Sequence, residues 1–126
     1  MYGYKKQVRG TYDEVVARTK AELKKEGFGI MSEIDVKKTV KDKLNADCDN
    51  YVILGACNPP FAWKALQAEK DIGLLMPCNV IVYEDKGKVF VASIRPTVTM
   101  SAVDNKDLAP VAIEVENKLK KAVDSV

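Results

Sequence analysis

The chain has 126 residues, of which 47% are hydrophobic and 30% are charged, and its formal net charge is only +2. A chain of this length buries about two thirds of its unfolded surface in a single core. We therefore expect one domain over residues 1–126, which needs neither a disulfide nor a metal to stay folded.

The sequence contains three cysteines and no histidine. Histidine is the common general base near neutral pH and the commonest metal ligand, so its absence excludes Ser-His-Asp and Cys-His catalysis and any zinc site that uses histidine. No signal-peptide run and no long apolar stretch is present, which predicts a cytoplasmic protein with free thiols and no membrane partner. No catalytic constellation is identifiable, so the sequence favours binding over turnover, and it does not identify a cofactor.

The first part of the chain alternates between strand and helix patterns. Residues 2–8 predict a strand, and Thr11 opens a Thr-x-x-Glu capping box that predicts a helix ending near residue 25. The next strand is predicted to place four side chains on one face, namely Phe28, Ile30, Ser32 and Ile34. Asp35 then caps a short helix over residues 36–44.

A short apolar run at residues 51–57 predicts a core strand covered on both faces. Asn58 and Pro59 fit the N-cap and the first position of the helix that follows. A hairpin is predicted from residue 78 to residue 94, and a long amphipathic helix from residue 106 onward.

The predicted element order is therefore β-α-β-α-β-α-β-β-α. We predict an α+β (or α/β) domain in which helices pack over a mixed or antiparallel sheet of about five strands. Residues 97–105 carry no clear pattern, and they fit either a lid over a pocket or an ordered crossover.

Two segments, at residues 55–62 and 72–80, carry a resemblance to a known family. The chain resembles the family catalogued as domain of unknown function number 302, whose members carry a similar Gly-Ala-Cys-Asn-Pro segment and a later Leu-Pro-Cys-Asn segment. The resemblance covers most of the chain and implies a small α/β domain that forms a homodimer, without a settled activity. The matching positions are Cys57, Asn58, Pro59, Pro77, Cys78 and Asn79. Cys48 lies outside the pattern, and Arg95 stands where we expect an acidic residue.

Cys57 is predicted to lie at a strand end, directly before a helix N-terminus. Unpaired N–H groups and the helix dipole at that position stabilise an anion and lower the pKa of a thiol. We therefore predict a small-ligand or anion site, whose candidate residues are Cys57, Asn58, Pro59, Cys78 and Asn79. The competing interpretation is that Cys57 is a packed core residue and that Asn58 merely begins a helix.

Whether Cys57 and Cys78 meet depends on how their strands pair. Parallel strands would separate the two by roughly 20 Å, whereas antiparallel neighbours would bring them to the same sheet edge. A thiol pair without histidine favours a soft metal such as Cu(I) or thiol redox chemistry. The third alternative is a purely structural interaction domain.

The expected partner is a second copy of the chain. Tyr2, Tyr4 and the terminal helix are the predicted dimer surface, since edge strands and amphipathic helices commonly associate. Nucleic acid is not expected, because the lysines are interleaved with acidic residues and the net charge is small.

Overall fold

The computed structural model describes residues 1–126, which form five strands, five α-helices and two 3₁₀ turns. The strands are β1 (Gly3–Val8), β2 (Gly29–Asp35), β3 (Tyr51–Cys57), β4 (Cys78–Asp85) and β5 (Lys88–Ile94). The helices are α1 (Tyr12–Lys25), α2 (Val36–Leu44), α3 (Pro59–Ala68), α4 (Pro96–Thr99) and α5 (Leu108–Ser125), and the 3₁₀ turns cover Lys70–Leu75 and Met100–Ala102. This order confirms the predicted α+β arrangement.

One sheet contains all five strands in the order β1-β5-β4-β3-β2, and every neighbouring pair is antiparallel. The core lies between one face of this sheet and the helices. Alternate residues of β3, β4 and β5 pack there against α1 and α5, because side chains along a strand alternate between faces. The buried strand residues on this face include Val52, Leu54, Val80, Val82, Val89 and Val91.

The prediction that β3 is covered on both faces is wrong. Val52, Leu54 and Ala56 are buried under the helices, but Tyr51 and Ile53 on the other face stay only half-buried. The helices place their buried apolar side chains against one face only, so the second face of the sheet remains partly open. No helix of the structure has the length and apolar character needed to cross a membrane.

Local capping chemistry sets the starts of α1 and α2 as predicted. The Thr11 hydroxyl accepts a hydrogen bond from the Glu14 backbone N–H at 3.2 Å. The Asp35 carboxylate accepts one from the Lys38 N–H at 3.0 Å. Each bond satisfies a backbone donor that has no partner within the helix.

The face assignment of β2 is corrected by a β-bulge. The pairing with β3 shifts between Ile30 and Ser32, so that Ile30 lies opposite Ala56 while Ile34 lies opposite Ile53. Ala56 is on the helix-covered face and Ile53 on the other, and an extra residue in one strand exchanges the faces of all residues beyond it. The predicted single face of Phe28, Ile30, Ser32 and Ile34 is therefore wrong.

The segment after β5 is an ordered crossover anchored on α5. Both the backbone N–H and the hydroxyl of Thr97 donate to Glu116, at 3.0 and 2.6 Å, and Arg95 and Lys120 each contact the same carboxylate at 3.2 Å. Burial alone would raise the pKa of Glu116, but these hydrogen bonds outweigh it and lower the pKa to about 2. Arg95 thus pairs with a buried acid of the terminal helix.

Candidate functional site

The two motif segments meet at one end of the sheet. Because β3 and β4 are antiparallel neighbours, Ala56 lies directly opposite Cys78, which settles the pairing that the sequence left open. A cavity of about 300 Å³ opens at this point, between the ends of these strands, α3 and α5. Both Cys57 and Cys78 belong to its wall.

The two cysteines differ in their positions. Cys78 shares the helix-covered face with Ala56, whereas Cys57 is the last residue of β3, where the chain turns into α3. Both thiols are free and half-buried. Burial, assisted by the nearby Cys57, raises the pKa of Cys78 to about 11. Cys78 is therefore protonated at neutral pH and is a poor nucleophile.

Asn58 does not cap α3 with its side chain. Its amide Nδ2 instead donates to the Glu26 carbonyl at 3.0 Å, and the residue is only 8% exposed. The side chain therefore ties the start of α3 to the end of α1. This corrects the predicted capping role, although Pro59 does occupy the first helical position.

The N-terminus of α3 lacks the free donors that an anion site requires. Pro59 and Pro60 have no N–H, and the N–H groups of Phe61 and Ala62 both donate to the Asn58 carbonyl, at 3.1 and 2.9 Å. Anion sites at helix N-termini depend on unpaired N–H groups. This geometry opposes the anion half of the predicted small-ligand or anion site.

Only some of the predicted site residues line the cavity. Cys57, Asn58 and Cys78 do, whereas the exposed Pro59 and Asn79 do not. Asn79 follows Cys78 directly, so its side chain is on the opposite face of the sheet, where it pairs with Gly55.

Most of the cavity wall was not predicted from the sequence. Its aromatic and aliphatic surface includes Phe28, Phe61, Val111 and Val115, and three methionines complete it. These residues come from segments far apart in the chain, and no local motif connects them. No group of three or more cysteine, aspartate or glutamate side chains forms a metal-binding cluster anywhere in the structure.

The fold and the cavity define a small α+β domain with an apolar, ligand-sized cavity at one end of an antiparallel sheet. The chain belongs to the family described as Domain of unknown function DUF302, whose model matches residues 4–126. The crystal structure of an uncharacterized conserved protein DUF302 from Bacillus stearothermophilus is similar, with a TM-score of 0.94 at 27% sequence identity. That match covers 99% of this chain and 98% of the other. No curated protein matches the chain.

Proposed function

We propose that the protein binds a small, uncharged and largely apolar molecule in the cavity between β3, β4, α3 and α5. The observation that carries this proposal is the composition of the wall. Twelve of its 14 residues are hydrophobic, none is charged, and Asn58 is the one residue with an amide side chain. An ionic ligand would lose its hydration in this cavity without gaining a partner.

The size and adaptability of the cavity support the same conclusion. Its volume of about 300 Å³ is at the lower end of known ligand sites. Met31, Met76 and Met100 border it, and unbranched methionine side chains adjust to ligands of different shape. A binding role therefore fits better than a structural role in which the segments merely pack.

The cavity wall lacks the groups that enzymes commonly use as acids, bases or nucleophiles. The chain contains no histidine, the wall contains no carboxylate, and Cys78 holds its proton at neutral pH. A nucleophile with an adjacent base is the usual requirement for covalent catalysis, and none is present here. Binding without turnover is therefore the function that the geometry supports.

Two related fluorophores test this proposal. N-phenyl-1-naphthylamine is uncharged, and 8-anilinonaphthalene-1-sulfonate adds a sulfonate to the same ring system. We expect saturable fluorescence enhancement with the uncharged dye and at least about tenfold weaker binding of the sulfonate, because the wall offers no cation. Equal or tighter binding of the sulfonate would contradict an uncharged ligand, and absence of binding by both dyes would favour a purely structural domain.

Two substitutions in α3 test whether the uncharged dye binds in this cavity. Ala62 is in the wall and Gln67 is exposed on the same helix, so Ala62→Leu fills the cavity while Gln67→Leu adds the same side chain elsewhere. We expect Ala62→Leu to weaken binding of the uncharged dye and Gln67→Leu to leave it unchanged. An equal effect of the two variants would place the dye outside this cavity.

The homodimer belongs, in this proposal, on the open face of the sheet. Tyr83 stacks between Tyr51 and Phe90, with ring centroids 5.3 Å apart in both pairs, and half-buried Ile81 and Ala92 extend the apolar surface. Five strands give a face of roughly 20 by 20 Å, so two copies would bury about 800 Å² in total, which corresponds to a small and weak interface. Lys5 of β1 lies on the same face, with its ammonium 5.2 Å from the Phe90 ring centroid and 3.3 Å from the Tyr83 hydroxyl. Around this one charge the face is apolar, and we propose that it packs against its own copy.

Part of the dimer surface predicted from the sequence, Tyr4 and the terminal helix, forms contacts inside a single chain. The Tyr4 hydroxyl donates to Asp124 of α5 at 2.6 Å, so Tyr4 and the terminal helix contact each other. Tyr2 remains 72% exposed. The open sheet face therefore replaces Tyr4 and α5 as the dimer surface.

Light scattering after gel filtration tests this assembly. We expect twice the chain mass of 13.9 kDa for the wild type and a monomer for Ala92→Lys, which adds a second positive charge opposite Lys5 on the open face without removing a stacked ring. Gln67→Lys, with the same charge on exposed α3, should remain dimeric. A monomeric wild type at high micromolar concentration would refute the dimer.

A further inference from the structure

The side chain of Asn58 brings a strong hydrogen-bonding group into an otherwise apolar cavity wall. Apart from the weakly polar thiols of Cys57 and Cys78, its amide is the one polar side-chain group there. The residue is only 8% exposed. Burying an amide without hydrogen-bond partners costs free energy, so the partners of its two polar atoms show whether this part of the wall is complete.

Contacts with the end of α1 fix the orientation of this amide. Nδ2 donates to the Glu26 carbonyl at 3.0 Å, and because a carbonyl can only accept, this bond distinguishes Nδ2 from Oδ1. The amide also lies close to Gly27, where an added Cβ would be 3.2 Å from Nδ2 and 3.5 Å from Oδ1. The amide is therefore held in place before any ligand enters the cavity.

The Oδ1 atom of Asn58 accepts no hydrogen bond from the protein, because the bond to Glu26 is the only one that this side chain makes. Oδ1 is not completely enclosed, since the Ser93 hydroxyl is the one fully enclosed polar side-chain atom without a partner. Oδ1 thus borders open space, and the cavity is the space that Asn58 lines. This oxygen is an acceptor available to a molecule in the cavity.

The donor for this oxygen has to come from the ligand. The cavity wall contains no hydroxyl group, and the two thiols are weak donors. A ligand that fills the cavity displaces water from the amide, so a wholly apolar ligand leaves Oδ1 buried without a donor. The second hydrogen of Nδ2 also has no acceptor in the protein. A hydroxyl group can donate to Oδ1 and can also accept from Nδ2.

We propose that the ligand is an apolar alcohol or phenol whose hydroxyl group donates a hydrogen bond to Oδ1 of Asn58, while its hydrocarbon part contacts the rest of the wall. This inference rests on the proposed function and names the class of its ligand. The hydroxyl keeps its proton and no covalent bond changes. One hydroxyl group is sufficient, because the wall contains a single amide side chain.

Displacement of N-phenyl-1-naphthylamine from the wild type by three related compounds tests this inference. On the same ring, para-ethylphenol has a hydroxyl that donates and accepts, para-ethylanisole has a methoxy group that only accepts, and para-ethyltoluene has a methyl group that does neither. We expect the phenol to bind about fivefold more tightly than either of the others. In a wall without an available acceptor it would bind most weakly, because its hydroxyl would lose its hydration.

The outcomes separate this inference from the proposed function. If the anisole or the toluene displaces the dye as well as the phenol does, the inference is wrong and the proposed function stands. If the dye itself does not bind, the proposed function fails and the inference fails with it.

Two substitutions of amide side chains by leucine show whether Asn58 is the acceptor. Asn58→Leu removes the amide from the wall, and Gln67→Leu makes the same kind of change on the exposed surface of α3. We expect Asn58→Leu to prefer the toluene over the phenol and Gln67→Leu to keep the preference of the wild type. A preference for the phenol that persists in Asn58→Leu would overturn the inference.

The ratio of affinities protects this test from a change in stability. A general weakening of Asn58→Leu affects the binding of all three compounds together, so the ratio between the phenol and the toluene still reports the hydrogen bond. If Asn58→Leu does not fold, the order of the three compounds on the wild type decides the question without any variant.

Discussion

Gly55 of β3 lies directly beneath the ring of Pro77, the residue that precedes β4. A Cβ atom on Gly55 would lie 2.8 Å from Pro77 Cγ, and it would also meet the Ser32 hydroxyl. The glycine of the first motif segment and the proline of the second therefore pack against each other across neighbouring strands. This contact gives both residues a structural reason to be there, separate from any ligand.

We expect Gly55→Ala to destabilise the protein by about 1–3 kcal/mol, because the added methyl group overpacks a rigid ring. Urea unfolding measures the change. Gly73→Ala is the matched control, since a Cβ there has no atom within 4 Å, and it should cost little. If the loss at Gly55 disappears in a Ser32→Ala background, the serine hydroxyl and not the proline is the obstacle.

Substitutions of Asn58 can distinguish a side chain that caps α3 from one that ties α3 to the end of α1. Aspartate is as good an N-cap as asparagine, but it cannot donate to the Glu26 carbonyl. We therefore expect Asn58→Asp to destabilise by about 1–3 kcal/mol, at least as much as Asn58→Ala. Asp35→Asn is the control, because Asp35 does cap α2 and asparagine should replace it at little cost. Tolerance of Asn58→Asp in urea unfolding would restore the capping role.

The Glu116 network predicts a specific loss of stability in acid. The pKa of Glu116 in the folded state is about 2, below its ordinary value of 4.5, so its contribution is complete above pH 4.5 and disappears as the pH falls toward 2. A shift of this size corresponds to about 3 kcal/mol. We expect Glu116→Gln to be less stable than the wild type by about this amount at pH 7, with the difference shrinking in acid.

The exposed neighbour Glu114 supplies the control for this measurement. Glu114→Gln should leave the pH profile of the unfolding free energy close to that of the wild type. A constant difference between wild type and Glu116→Gln from pH 7 to pH 3 would show that the carboxylate acts through packing rather than through its charge.

The turn between β4 and β5 is a site for stabilisation. Lys86 and Gly87 both have positive φ, 51° and 77°, as a two-residue hairpin turn requires. Asparagine tolerates this conformation better than lysine, so we expect Lys86→Asn to raise stability by about 0.5 kcal/mol. Thermal unfolding measures the gain. Lys88→Asn, in the adjoining strand with ordinary φ, should give none.

Local patterns in the sequence were sufficient for most of the fold. The capping box at Thr11, the cap at Asp35 and the β4–β5 hairpin were predicted and confirmed, because each depends on contacts between residues close in the chain. The family was also recognised from two short segments. Cys57, Asn58 and Cys78 all line the cavity, but the sequence left open whether Cys57 and Cys78 lie near each other, because that depends on how β3 and β4 pair.

Relationships between distant segments required the tertiary structure. The bulge at Ile30 turns half of β2 to the other face, and the Glu26 carbonyl takes the amide that would have capped α3. The hydrophobic periodicity of the sequence reveals neither the bulge nor this hydrogen bond, because each depends on a partner far along the chain. The three cysteines in a chain without histidine, known from composition, limited the chemistry from the start. Only the fold joined two of them to three methionines in one apolar cavity, because long-range packing, not local propensity, decides which side chains share a space.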